Sequence, residues 1–438
     1  MTAATLTGLL TDQYELTMVQ AARRSGTAAR RAVFEVFARR LPEGRRYGVV
    51  AGTGRLLEAI EHFRFDEDAL SFLADAGIVD EETRAWLADY RFSGDIDGYA
   101  EGECYVPGSP LLVVDAPFAD AVVLETLILS ILNHDSAIAA AASRMICAAG
   151  DRPCIEMGSR RTHEISAVAA ARAAYIAGFA STSNLEAGRR YGIPTTGTAA
   201  HAFTLVHDSE EDAFRAQIAS LGPGTTLLVD TYDVTAGVRT AVAVAGPELG
   251  AVRLDSGDLV ESARQVRAQL DSLGATGTRI VVTGDLDEYA IAALAAAPVD
   301  TYGVGTSLVT GSGAPTAGLV YKLVARGVGD DPDAPLIPVA KRSVGKPSIG
   351  GRKVALRRRD SSGRATREIV SAHGPPAETG DDRPLLVPLI RGGGIVAEAS
   401  LDEARKHHAE SRAELPVSAV QLSRGEPAIP TVFEEERR

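Results

Sequence analysis

Ala251-Val252-Arg253-Leu254-Asp255-Ser256-Gly257-Asp258 and Arg279-Ile280-Val281-Val282-Thr283-Gly284-Asp285 decide the fold. Each is a short apolar run that stops abruptly in polar residues and glycine. Between them Val260–Ser272 carries apolar residues at helical spacing. Two such runs joined by a helix read as parallel neighbours in one sheet. Working outward, the same run recurs at Cys154–Glu156, Gly178–Ser181, Ile193–Gly197 and Thr226–Asp230 upstream, and at Thr301–Val304 downstream. Leu319–Val324 is a candidate eighth. Helical stretches at Ile165–Ile176, Glu210–Ser220 and Leu286–Ala296 separate most of them. Seven or eight units favour an α/β barrel, with an open doubly wound sheet as the alternative. The repeat is irregular, because Gly311–Gly318 leaves no room for a helix before the eighth run.

Barrel active sites lie at the carboxyl ends of the strands. Those ends carry Glu156/Arg160/Arg161, Ser181/Thr182, His201, Asp230/Thr231, Asp255/Asp258, Gly284/Asp285 and Gly303/Gly305/Thr306. His201 sits among small residues in Gly197-Thr198-Ala199-Ala200-His201-Ala202-Phe203. It belongs to no Ser-His-Asp or His-x-x-x-His pattern. It reads as a nucleophile able to take a phosphoryl group, against the plainer reading of a core histidine. Gly284-Asp285 and Gly303-Val304-Gly305-Thr306 follow the last two clear strands, where barrels bind phosphate. Glycine there lets backbone N–H groups approach an anion. A tight turn is the plain alternative. Arg253 suits an anionic group or an aromatic ring, and Asp255 a ribose hydroxyl or Mg²⁺ through water; an internal ion pair is the alternative. Arg160-Arg161 suits a carboxylate or a phosphate, whereas an ordinary helix start would favour acids.

Outside this region Leu9–Arg23 reads as a helix capped by Thr11 or Asp12, and Ala32–Ala38 as a strand. Phe118–Ala149 reads as a long Leu/Ala helical stretch. Lys341–Val354 and Arg357–Val370 read as hairpin strands. Ser400–Glu414 reads as a helix opened by a Ser400/Glu403 capping box. The expected organisation is residues 1–115 as the first part of a flanking α/β domain, 116–338 as the irregular barrel with the active site, and 339–438 returning to the flanking domain.

The chain has 438 residues and a formal net charge of −13, which argues against nucleic-acid and anionic-membrane partners. Cys104, Cys147 and Cys154 form no Cys-x-x-Cys pair and read as reduced thiols. The first twenty residues lack a basic start leading into an apolar stretch. Pro117–Leu132 is interrupted by Asp120 and Glu125, which marks a core helix rather than a membrane span. A cytoplasmic protein is expected. Lysine occurs only at 322, 341, 346, 353 and 406, so four of five fall within residues 322–353, where a compact charge would suit a phosphate.

Read together, several runs resemble the nicotinate phosphoribosyltransferase family. They are Leu10–Met18 (Leu-Thr-Asp-Gln-Tyr-Glu-Leu-Thr-Met), Phe34–Arg39, Glu156-Met157-Gly158-Ser159-Arg160-Arg161, Gly197–Phe203, Val252–Leu259, Tyr302–Ser307, and Val339–Lys346 with Gly351 and Lys353. The resemblance spans roughly residues 5 to 360 in the family's order. It implies that nicotinate displaces pyrophosphate from phosphoribosyl pyrophosphate to give nicotinate mononucleotide, with Mg²⁺ and with ATP hydrolysis driving the step. That is an ATP-dependent, ligase-type pentosyl transfer and the first committed step of NAD salvage from nicotinate. It implies an irregular α/β barrel of the type II phosphoribosyltransferase kind with a flanking α/β domain formed by both termini. His201 would be phosphorylated transiently, making it a phosphohistidine. Arg160 would grip the nicotinate carboxylate with Arg161 beside it, near Thr198. Arg253 and Asp255 would hold the ribosyl and Mg²⁺-pyrophosphate part. Gly284, Asp285, Gly303, Gly305 and Thr306 would cradle the 5′-phosphate, and Arg39, Lys341, Lys346 and Lys353 would neutralise polyphosphate. A head-to-tail homodimer is implied, with Tyr14 of one subunit stacking on the ring held by the other. Nicotinamide-using relatives carry an acid where this chain has Ala199, so Ala199 favours nicotinate. Nicotinamide or quinolinate phosphoribosyl transfer and a catalytically inactive relative are the alternatives.

Overall fold

The computed structural model describes residues 6–329, 331, 334–341, 349–376, 380–397 and 400–434. The chain divides into two compact units, one made of residues 1–137 and 316–438 and the other of residues 138–315. The sequence boundaries at 115/116 and 338/339 therefore move. The strand Leu319–Gly327 is the reason: it pairs antiparallel with Arg31–Ala38, so the candidate eighth barrel run belongs to the other unit's sheet. An apolar run shows that a strand is buried, and not which sheet buries it.

The middle unit holds six parallel strands: β1 (Cys154–Glu156), β2 (Ser181–Thr182), β3 (Thr226–Leu228), β4 (Ala251–Leu254), β5 (Arg279–Val282) and β6 (Thr301–Val304). Their order is β2-β1-β6-β5-β4-β3. The first strand therefore lies beside the last, which is the order of a ring cut between β2 and β3 and not that of an open doubly wound sheet. The expected strand Ile193–Gly197 is present only as one parallel bridge, Thr182 to Thr195. Pro194, with no N–H, cannot donate to a ladder there. Helices follow the strands, and the turns that start them end in capping side chains. Asn184 accepts from Ala187 N, Asp233 from Ala236 N, Asp258 from Glu261 N and Asp287 from Ala290 N.

The other unit is built from both ends of the chain around a seven-stranded antiparallel sheet. Its strand Arg31–Ala38 shows why alternation reads as a strand. Phe34 and Val36 enter the main core, where Phe34 stacks on Tyr321 at 4.7 Å between ring centroids. Val33 points to the other face against Val113, Val324 and Ala325. Burying each such side chain stabilises the fold by about 1.5–3 kcal/mol. Glu35 also lies within the sheet and is paired with Lys353.

A second sheet of this unit carries the hairpin Val354–Arg359 with Ala365–Ser371, shorter and later than the expected pair of strands. Arg357 is fully buried there. It donates to Glu103 Oε1 at 2.6 Å, Glu368 Oε1 at 2.6 Å and the Cys104 carbonyl at 2.5 Å. Arg383 and His407 also bind Glu103. Burial opposes ionisation of Glu103, but Arg357, His407 and Arg383 outweigh it and hold the carboxyl well below the usual range. The Ser400/Glu403 capping box is present as read. All three cysteines are free. Among the described residues one helical stretch, Phe118–Ala149, is long and apolar enough to cross a membrane, and most of it is buried inside the fold.

Candidate active site

The carboxyl ends of the parallel strands converge on a cavity of about 410 Å³. Arg160, Arg161, Thr198, His201, Arg253, Asp255, Gly284, Asp285, Gly303, Gly305 and Thr306 all line it. Strand ends that are tens of residues apart in the chain meet here because each strand stops at the same level of the sheet.

His201 opens the short helix His201–Leu205. Its Nδ1 lies 3.2 Å from Thr231 Oγ1, and its Nε2 lies 3.9 Å from Asp230 Oδ1. The Asp230 side chain is 1% exposed. Its Oδ2 accepts from Asp255 N and Ser256 Oγ, both at 2.8 Å, while Oδ1 is buried without any hydrogen-bond partner. A buried carboxylate oxygen with an unused lone pair facing a ring nitrogen is a strong acceptor in waiting. Asp230 and Thr231 were visible in the sequence only as one strand end among seven. Nothing there tied them to His201, thirty residues away.

Arg253 spreads three donors. Nε reaches Thr283 Oγ1 at 2.9 Å, Nη1 reaches Thr198 Oγ1 at 2.8 Å, and Nη2 reaches Asp255 Oδ1 at 2.9 Å. The internal ion pair weighed as the alternative therefore exists, within the pocket wall. Thr283 also donates to Asp255 Oδ1. Burial pushes the Asp255 carboxyl up, but Thr283 and Arg253 outweigh it and keep it below the usual carboxylate range. Asp255 Oδ2 has no hydrogen-bond partner among the described residues. Asp258 is occupied by its cap, which removes it from the site.

Gly284 has φ +111°, and a Cβ there would sit 2.5 Å from the Asp255 carbonyl oxygen. Asp285 follows at φ +46°. Two successive left-handed residues turn the backbone into the open loop that an anion needs. Arg160 and Arg161 lie on the short 3-10 turn Ser159–Arg161, both exposed, and make no side-chain hydrogen bond or ion pair among the described residues. Two unpaired guanidinium groups on a cavity wall give it positive charge in a chain that is acidic overall.

Tyr14, Arg39, Lys341 and Lys353 belong to the other unit and do not line this cavity. Tyr14 is 47% exposed; burial and the nearby Glu125 and Glu15 push its phenol up to about 12. Arg39 and Lys341 are exposed. Lys353 corrects the expectation of a phosphate-facing lysine: it is 2% exposed, with Nζ 2.7 Å from both Glu35 Oε2 and the Ile349 carbonyl. An ammonium sealed in that pair has no face left for a polyphosphate. Lys346 lies outside the described residues. Among the described residues no three or more His, Cys, Asp or Glu cluster as metal ligands.

Comparison with known proteins agrees with this geometry. Residues 9–133 match the family model described as the nicotinate phosphoribosyltransferase N-terminal domain. The chain is 62% identical over 433 residues to nicotinate phosphoribosyltransferase pncB1 of Mycobacterium tuberculosis, covering 97% of this chain and 94% of that protein. It is 42% identical over 411 residues to pncB2 of the same organism, covering 91% and 85%. Its structure matches the crystal structure of human nicotinic acid phosphoribosyltransferase with a TM-score of 0.83 at 26% identity, covering 97% of this chain and 98% of the human one. The chain belongs to the nicotinate phosphoribosyltransferase family.

Proposed function

We propose that this protein transfers the phosphoribosyl group of phosphoribosyl pyrophosphate to nicotinate, releasing pyrophosphate, and that ATP drives the step through a phosphohistidine at His201. The observation that carries the reading is one cavity uniting two unpaired arginines, glycine-rich anion loops and a histidine beside a buried, half-used carboxylate.

Arg160, with Arg161, would bind the nicotinate carboxylate by charge-assisted hydrogen bonds. Gly284, Asp285, Gly303, Gly305 and Thr306 would seat the 5′-phosphate. Arg253, fixed by Thr198, Thr283 and Asp255, would face the ribosyl-pyrophosphate portion. Displacement at the anomeric carbon makes positive charge on the sugar and negative charge on the leaving group, so positioning and electrostatics carry the catalysis. The open Oδ2 of an ionised Asp255, with the Asp285 carboxylate, fits a magnesium ion arriving on the substrate's phosphates, where the ion would neutralise the leaving group. A small turn of the His201 ring that brings Nε2–H onto Asp230 Oδ1 would leave Nδ1 with its lone pair. That is the tautomer able to attack the γ-phosphorus of ATP, forming N–P and releasing ADP. Hydrolysis of that phosphoramidate would make transfer effectively irreversible.

We further infer a cytoplasmic homodimer with shared sites. Segments that follow cavity-lining or strand-end residues in the chain expose Leu185, Leu205, Val206 and Tyr232 at 61–77%. Apolar side chains at that exposure around a site call for a covering partner. The exposed ring of Tyr14 suits the face that a second copy would present.

The test is mononucleotide formation from phosphoribosyl pyrophosphate and Mg²⁺ with nicotinate, nicotinamide or quinolinate, each with and without ATP. Product from nicotinate alone, stimulated by ATP, is expected. Product from another base would move the assignment to a sister activity, and no product with any base would indicate an inactive relative.

A further inference from the structure

Glu156, the last residue of β1, is 1% exposed and has no cationic partner among the described residues. A carboxylate buried that way is costly unless its oxygens are used. Both are. Oε1 accepts from Gly158 N–H, and Oε2 accepts from the hydroxyl of Thr182, which is itself fully buried. Thr182 Oγ1 in turn accepts from Asn184 N at 2.9 Å, and Asn184 Nδ2 donates to Ser159 Oγ at 2.9 Å. The loop 157–161 is also tied to the neighbouring strand β6, because Met157 N donates to the Val304 carbonyl at 2.8 Å. Gly158 leaves no slack: a Cβ would collide with Val309 Cγ1 and stand 3.0 Å from the Gly305 carbonyl.

Arg160 and Arg161 have no side-chain partners to hold them, so their placement is inherited from this loop. We infer that Glu156 and Thr182 are positioning residues that set where the base-binding guanidinium groups stand, and so help to determine which pyridine base is accepted. Neither is itself among the residues that line the cavity. The inference rests on the reading of Arg160 as the carboxylate-binding residue.

The test compares Thr182→Val, which keeps the volume and removes the hydroxyl, with Thr182→Ser, which restores it. In Thr182→Val the nicotinate KM should rise about 10-fold, with the phosphoribosyl pyrophosphate KM and kcat within about 2-fold of wild type. Thr182→Ser should return the nicotinate KM to near wild type. Glu156→Gln should move in the direction of Thr182→Val and narrow the preference for nicotinate over nicotinamide. An equal rise in both KM values, or a lowered Tm with unchanged KM values, would overturn the inference. Arg160→Ala in the same assays separates the two readings. If it raises the nicotinate KM selectively and Thr182→Val does not, the positioning role alone falls. If Arg160→Ala has no selective effect, the base-binding reading falls first.

Discussion

Arg357 and Arg253 both grip carboxylates, and they do so in opposite states of completion. Arg357, Glu103 and Glu368 are 0, 1 and 0% exposed, and Arg383, His407 and Ser411 bind the same group of acids. Arg253 and Asp255 are 12 and 28% exposed, and Asp255 keeps an oxygen unused. Both oxygens of Glu103 and of Glu368 are engaged, so this sealed cluster offers a ligand no acceptor and acts on packing, even though the buried Arg357 Nε has no hydrogen-bond partner among the described residues. The half-used pair is held in direction by its partners and leaves an Asp255 oxygen open at the cavity wall. Burial alone does not separate structural from functional ion pairs here; leftover capacity does.

The comparison breaks most visibly at Arg357. Arg357→Ala leaves the buried Glu368 without its cation and Glu103 with one cation fewer, and should lower unfolding stability by about 3–5 kcal/mol, read by urea denaturation. Activity per folded molecule should stay near wild type. A variant as stable as wild type would remove the contrast. At the other pole, His201→Ala should abolish phosphoenzyme and cut the ATP-stimulated rate by about 100-fold with no change in Tm. Unchanged ATP coupling would refute the histidine's role. Next, Arg160→Ala should raise the nicotinate KM about 30-fold with little change for phosphoribosyl pyrophosphate, since only nicotinate has a carboxylate that loses its partner.

The smallest effect is a pH dependence in the buried cluster. Burial pushes His408 down to about 4, and Nδ1 is 2.9 Å from the Gly102 carbonyl. Its folded pKa lies below the unfolded one of about 6.5, so the unfolded state binds the extra proton. Stability is fully present above the unfolded value and is lost as pH falls from about 6.5 towards 4, at no more than about 1.4 kcal/mol per unit. His408→Gln should flatten the stability-pH slope in that window. An unchanged slope would show that His408 is not the group responsible.

The parallel-sheet unit was largely legible because its signals are local. Strand ends such as Leu254-Asp255 and Val282-Thr283-Gly284 announce themselves within a few residues, and the loops they begin line the cavity. The Ser400/Glu403 box is equally local. What the sequence hid depends on pairing across the chain. Leu319–Val324 has the right composition for a barrel strand and the wrong neighbour. Lys353 has a partner 318 residues away in Glu35. Asp230's service to His201, and Glu156's hold on Gly158, follow from which side chains the sheet places face to face. Cys104 and His408 meet 304 residues apart, and no spacing rule predicts that.

The gap in the strand order between β2 and β3 has a mechanical meaning. On its β2 side one bridge joins Thr182 to Thr195, and the stretch from there to β3 joins no ladder. Neighbouring strands elsewhere must break ladder bonds to part, whereas at this seam no ladder joins β2 to β3 and the stretch between them is held by single contacts such as Arg253 to Thr198. His201 sits on the seam. On the role proposed for His201, a histidine that meets a nucleoside triphosphate and later stands over a pyrophosphate would gain from a compliant mounting inside a stiff frame. Breathing should be greatest at this edge, and backbone amides should exchange with solvent fastest there.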